Sequence, residues 1–281
     1  MWVSQSGYYL WRKRLRKPPC LKRKKLADLV KVCYFDNRRR FGTRRISAAL
    51  QKSGVKVGRF LIRRLMSEHH LKAIQPKSFK PKTTDSKGTA ASPNLLAEVK
   101  TGECAAGKII VGDITYVPLK NGKWCYLSVW QDKVTRQIIG WSLAETLAAE
   151  IVISALKKAI RKGKVQAGAI IHSDRGSQYA AKEFRLLLQQ NCLRQSMSGK
   201  GNCYDNAQAE SFFSRFKTEL MEGGVFEDVE QARSEIFSYI EGYYNRVRLH
   251  SSLGYKSPLE YELELKAKSG GNGDSFLSTF S

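Results

Sequence analysis

Three acids in this 281-residue chain sit where their type and setting suggest chemistry. Asp113 lies inside the apolar run "KIIVGDITYVPL", Asp174 closes "AGAIIHSD", and Glu210 stands in "KGNCYDNAQAESFFSRFK". On a helical wheel of about 100° per residue centred on Glu210, Lys217 falls about 20° away and Asn206 and Ser214 about 40° away. Phe212 and Phe216 point to the opposite side, with Phe213 and Leu220 flanking the strip. Such a helix buries its phenylalanines and presents one carboxylate and one ammonium among small polar groups. Taken alone, that is an ordinary solvated face. Carboxylates that meet, however, raise one another's pKa or recruit cations, and all-oxygen donor sets select Mg²⁺ or Mn²⁺. Two such ions, about 3.5–4 Å apart, can activate an attacking oxygen and stabilise a leaving one in an in-line phosphoryl displacement.

The elements around the acids decide whether they can meet. "KIIVGDITYVPL" (108–119), "WCYLSVWQDK" (124–133) and "RQIIGWSLA" (136–144) read as successive strands, with "KNGK" a hairpin turn between the first two. Residues 145–162 form a helix, and "AGAIIHSD" (167–174) is a short apolar strand of the buried, parallel kind. "SQYAAKEFRLLLQQN" reads as a helix and "LRQSM" as a short strand, followed by the helix of Glu210. The order β-β-β-α-β-α-β-α is an α/β domain whose sheet starts as a meander and becomes parallel. The ribonuclease-H-like fold has this order. In it the first and fourth strands are neighbours and the late helix crosses their edge, which would gather Asp113, Asp174 and Glu210.

Charge separates the front of the chain from the rest. The formal charge is +24, and residues 1–82 hold 24 Lys/Arg against 3 Asp/Glu, leaving only +3 for the remainder. A block this cationic repels itself unless something anionic neutralises it, and phosphate backbones are the usual partner. Within it, "FGTRRISAALQKSGVKVGRFLIRRLMSEHHL" reads as two short helices around Gly54. The first, Arg44 to Ser53, turns Ile46, Ala49 and Leu50 inward; the second, from about Gly58 to His69, buries Leu61, Ile62, Leu65 and Met66. This is the helix-turn-helix pattern, with Arg59, Arg63 and Arg64 on or beside the outer face of the second helix and Arg44 and Arg45 at the start of the first. The expected organisation is a basic N-terminal segment (1–21), an all-α helix-turn-helix domain (22–75), a polar linker (76–104), the α/β domain (105–265) and a flexible tail (266–281). No apolar run reaches the length of a membrane span, and the opening residues lack a secretory pattern. Six cysteines without a C-x-x-C pair argue against a zinc site or disulfide framework and for a reducing, cytoplasmic setting.

Asp174 and Glu210 enclose 35 residues, and Lys217 follows Glu210 by seven. The spacing resembles the D,D-35-E signature of retroviral integrases and related transposases. The words "VSQSGYYLW", "FGTRRI", "GDITYV", "HSDRGSQY", "SMSGKGNCYDNAQAESFFSRFKTEL" and "YYNRVRLHSSLGYKSPLEYE" resemble one branch: the downstream-frame (OrfB) transposases of the large bacterial insertion-sequence family with two overlapping reading frames. Together they span most of residues 3–262. The resemblance implies that Asp113, Asp174 and Glu210 hold Mg²⁺ or Mn²⁺, two ions in all, with Lys217 and Lys200 touching DNA. It implies cleavage at the element's ends to free a 3′-hydroxyl, then attack of that hydroxyl on another phosphodiester, with no covalent protein–DNA intermediate. The implied partners are the terminal inverted repeats, target DNA, the upstream-frame (OrfA) product or a fusion with it, and further copies of the chain on DNA at the nucleoid. One departure is visible: Val111-Gly112 stand where a tryptophan often precedes the first Asp.

Other candidates read more plainly. Asp132 is expected in a turn, Asp205 as the cap of the Glu210 helix, and His172 as a hydrogen-bonded structural histidine sharing Asp174's face. His250 and the "YYNRVR" run fit either DNA or a subunit contact. Two rival functions remain. A ribonuclease H would share the fold without needing a +21 helical arm, and a purely DNA-binding regulator would not need all three acids.

Overall fold

The computed structural model describes residues 4–15, 21–74, 92–99, 104–199, 207–221 and 225–270. Lys200, Cys203, Asp205 and Asn206 lie outside these residues. The chain forms two units, residues 1–75 and 76–281.

The first unit is helical: α1 (Gln5–Leu15), α2 (Leu21–Asp36), α3 (Thr43–Lys52) and α4 (Arg59–Glu68). Its core is Ala27, Val30, Tyr34, Phe41, Ile46, Leu50, Val57, Ile62, Leu65 and Met66. The α3–α4 turn is fixed by backbone chemistry. Gly54 takes φ +81°, its N–H bonds to Gln51 O, and Val55 N–H reaches back to Leu50 O, so the last carbonyls of α3 are satisfied. Two residues expected inside are not. One is Leu61, 38% exposed, and the other is Leu29, 43% exposed, whose spacing with Leu26, Val30 and Cys33 in the sequence predicts a shared helical face; each lies at the edge of its helix's packed side.

In the second unit a five-stranded sheet has the order β3-β2-β1-β4-β5. Strands β1 (Ile109–Pro118), β2 (Trp124–Asp132) and β3 (Ile138–Ala144) pair antiparallel, while β4 (Ile170–Ser173) and β5 (Arg194–Met197) extend the sheet in parallel from β1. Helices α5 (Ala149–Arg161), α6 (Ser177–Ala180) and α7 (Lys182–Gln190) accompany one face, on which Ile110, Trp130, Ile139, Ile151, Leu156, Tyr179 and Phe184 form a core. On the other face α8 (Ala207–Leu220) and α9 (Val229–Phe237) bury Phe212, Phe213, Phe216 and Ile236 against Val117, Leu127 and Val129. A π-helical stretch (Ser238–Tyr244), a 3-10 turn (Ser251–Leu253) and α10 (Pro258–Gly270) complete the unit.

The single helix expected over "SQYAAKEFRLLLQQN" is two. Ala181 is extended (φ −60°, ψ 144°), and the Tyr179 carbonyl accepts from Gln195 Nε2 of β5 at 2.6 Å instead of continuing a helical ladder. In the stretch read as a linker, Leu96 sits in a 3-10 turn (Leu95–Glu98) and packs with Ile109 and Ile170. At Gly112 a Cβ would stand 2.3 Å from the Trp130 ring, so the residue before Asp113 must lack a side chain for the paired strand to keep its tryptophan. A tryptophan could not fit at Gly112.

Candidate active site

Strand alternation sets the direction of Asp113. Ile110 and Ile114 face the α5 layer and Val117 faces α8, so Asp113 shares Val117's side. In the parallel ladder Val111 pairs with His172, and two residues further along both strands come Asp113 and Asp174, on the same face. The backbone holds each acid: Ile114 N–H donates to Asp113 Oδ1 at 2.8 Å, and Gly176 N–H to Asp174 Oδ1 at 3.0 Å. Helix α8 presents Glu210 and Lys217 on its exposed side while its phenylalanines are buried. It is tied near both ends. Gln208 Nε2 donates to the carbonyls of Asp132 and Lys133, and Glu219 forms a buried two-pronged pair with Arg248, with Tyr239 Oη donating to Glu219 at 3.0 Å.

Electrostatics shows that these groups feel one another. Burial pushes the Asp113 carboxyl up to about 8, reinforced by the charges of Asp174 and Glu210 and opposed by the Ile114 hydrogen bond and Lys217. Asp174 is also raised, by burial, against the lowering effect of the Gly176 N–H hydrogen bond. Lys217 is pulled down by burial and partly restored by Asp113. Asp174, Glu210 and Lys217 therefore each lie within electrostatic reach of Asp113. They are not packed as a closed cage, since among the described residues no three His, Cys, Asp or Glu side chains are gathered tightly enough to hold an ion.

The donor chemistry fits a divalent cation nonetheless. Every donor is a hard carboxylate oxygen, and Asp113, raised to about 8 first by burial and then by the charge of Asp174, would be stabilised in its ionised form by a cation. Asp113 and Asp174 are the more strongly coupled pair, and Glu210 acts on Asp113 more weakly.

The other candidates fall into place around these acids. Asp132 is buried and structural: Oδ1 accepts from Val134 N–H, Thr135 N–H and Thr135 Oγ1, and Oδ2 from Gly107 N–H. His172 is fully buried between Ser196 (2.9 Å from Nδ1) and Ser198 (3.1 Å from Nε2), bracing β4 against β5 beneath Asp174. Ser196 Oγ also accepts from Leu95 N–H, which ties the turn before β1 to the same pair of strands. Sequence reasoning gave Tyr179 no role, although it closes the quoted word "HSDRGSQY". It is 1% exposed, its hydroxyl has no hydrogen-bond partner among the described residues, and burial with the charges of Asp174 and Asp113 drives its pKa well above 10. The ties made by Gln208 and Glu219–Arg248 left no local signal in the sequence, because their partners lie far apart along the chain.

In the helical unit, Arg44, Arg59, Arg63 and Arg64 are exposed. Arg45 is half-buried, donating to Arg40 O at 3.1 Å and lying over the Phe41 ring, so much of it serves the unit's own packing. Arg64 lies 3.7 Å from Glu68, which Arg23 also holds through two hydrogen bonds.

A mixed sheet with Asp113 and Asp174 at its β1–β4 seam, together with a helix-turn-helix unit, is the arrangement of an integrase core with a helical accessory domain, a class of polynucleotidyl transferase. Integrase core domain models match residues 104–203 and 191–258, and an HTH-like domain model matches residues 22–79. The insertion element IS600 31 kDa protein of Shigella sonnei is 38% identical over 92% of this chain and 94% of its own length. The transposase for insertion sequence element IS904 of Lactococcus lactis is 37% identical over 86% and 95%, and transposase InsF for insertion sequence IS3A of Escherichia coli 34% over 92% and 90%. The chain belongs to this family of insertion-sequence transposases, whose business is DNA transposition and integration. Among the described residues, no helix is long and apolar enough to cross a membrane.

Proposed function

We propose that this transposase cuts and joins DNA strands by the three-carboxylate, two-ion route, with Asp113, Asp174 and Glu210 as the ligands. The observation that carries the reading is the Asp113 carboxyl, raised to about 8 in part by the charges of Asp174 and Glu210, which come from two other elements. Divalent ions bound there would polarise the scissile phosphate and activate the attacking oxygen, first water and then a 3′-hydroxyl. The chain's own residues set the stage for this. Asp113 gives up its proton as a cation arrives, while Ile114 and Gly176 N–H groups keep one oxygen of each aspartate fixed. Glu210 approaches from α8, which its Gln208 and Glu219 ties hold in register with the sheet. Lys217, on the same helix face, offers an ammonium to the DNA phosphate beside the acids.

No side-chain nucleophile is required, so the protein forms no covalent bond to DNA. The helical unit holds DNA through Arg44, Arg59, Arg63 and Arg64, with Lys200, as the resemblance implies, contributing a further contact. Terminal inverted repeats and target DNA are the substrates, and further copies of the chain with the upstream-frame product complete the assembly. The test is cleavage and strand transfer on the element's ends in Mg²⁺. Asp113→Asn, Asp174→Asn and Glu210→Gln should each abolish both reactions while DNA binding persists. Full strand transfer by any one of them removes that residue from the ligand set.

A further inference from the structure

The most exposed aromatic residue among the described residues of the helical unit is Phe60, 75% exposed near the start of α4. Its ring contributes little to the unit's core, and it is the framing by arginines that makes the position informative. Its position is defined by the buried side. Taking Ile62 as the centre of the packed face, with Leu65 and Met66 beside it, Phe60 falls about 160° away, at the middle of the outward face. Ser67, Arg64 and Arg63 fall within about 60° of it, so the aromatic ring is framed by two guanidiniums and a hydroxyl. The ring is also held: the Arg59 guanidinium lies over it, 5.2 Å from the centroid, which restricts its rotamers before any partner arrives.

Helix α4 is the second helix of the hairpin, whose N-terminal residues reach base edges when such a motif enters the major groove. There the one apolar feature that distinguishes bases is the C5-methyl of thymine, and phenylalanine is among the side chains that meet it. We propose that Phe60 determines sequence specificity by seating a thymine methyl group, with Arg63 and Arg64 supplying the polar contacts on either side. The proposal rests on the reading that α3 and α4 grip DNA. A second copy of the chain is the competing occupant of an exposed ring. Duplex DNA is favoured because guanidiniums frame the ring, whereas a self-association patch at the same place would set arginine against arginine.

The full-length protein would first select sites from a random duplex pool, and the selected site would then be scanned by replacing each thymine with deoxyuridine, which lacks the methyl group. The wild type should lose about fourfold in affinity at one thymine, the loss for one methyl-sized group at about 0.8 kcal/mol. In Phe60→Ala the same replacement should change affinity by less than about 1.5-fold, and Phe60→Leu should restore part of the discrimination. An undiminished thymine preference in Phe60→Ala overturns the proposal, as does a shift in sedimentation for that variant with unchanged site selection, which would assign the ring to a protein contact. Arg63→Ala separates the two layers of argument. If it leaves affinity for every duplex unchanged, the DNA-gripping reading itself fails; if it weakens all duplexes while Phe60→Ala leaves the thymine effect intact, only the methyl contact fails.

Discussion

Replacing Asp113 by Asn should stabilise the metal-free protein, and the gain should grow with pH. In the fold the Asp113 carboxyl titrates near 8, against 3.8 for the free side chain. The folded state therefore holds a proton that the unfolded chain releases across the window between those values. Because the unfolded chain binds fewer protons there, stability falls as pH rises. At pH 7 the difference amounts to at most about 4 kcal/mol, at about 1.36 kcal/mol per pKa unit. Relaxation and an effective dielectric near 20 reduce this to about 2 kcal/mol. Asparagine has no proton to retain, so the variant escapes the penalty. For a unit of this size the gain corresponds to about 4–8 °C in melting temperature. The assay is thermal unfolding in chelator from pH 4.5 to 8.5, variant against wild type. The gap should be near zero at the acid end and level off above about 8, and Mg²⁺ should narrow it by stabilising the wild type more than the variant. A gap independent of pH, or a destabilised variant at pH 8, refutes the electrostatic account of the acid cluster.

Three further outcomes follow from the packing. Arg248→Ala leaves Glu219 buried without its partner and should cost about 3–5 kcal/mol in chemical denaturation, whereas exchanging both for apolar residues should cost much less. Gly112→Ala drives a Cβ into the Trp130 ring and should destabilise by about 1–3 kcal/mol, with a shifted tryptophan emission spectrum as the local signature. In DNA binding titrated against salt, Arg63→Ala should lower the log–log slope by about one, since one phosphate contact and its released counterion are lost.

How much was legible in the sequence depended on whether a signal was local. The apolar alternation of β1 and β2 and the 3.6-residue pattern of α3 and α8 placed those elements within a few residues of their observed bounds. The spacing of Asp174 and Glu210 carried the family resemblance, while the described residues between them make two helices and a strand that no local signal joins into one site. What stayed hidden was set by distant partners. Ala181 breaks a good helical pattern because β5 claims the Tyr179 carbonyl, a contact between residues 16 apart. Phe213, read as a flank, is buried because α8 sinks deeply against the sheet. Gly112 looked like a departure from the family's pattern and proved to be the complement of Trp130 across the hairpin. Asp132 and His172 came out as expected, since a turn acid and an apolar-strand histidine both announce their needs locally.

The central claim is that Asp113, Asp174 and Glu210 hold divalent ions jointly. Counting bound Mn²⁺ by electron paramagnetic resonance, on the protein assembled with DNA ends, tests it most directly. Two ions per active site are predicted for the wild type, with Asp113→Asn and Asp174→Asn each losing at least one and Glu210→Gln binding more weakly. Variants that bind as many ions as the wild type, with unchanged affinity, contradict the account.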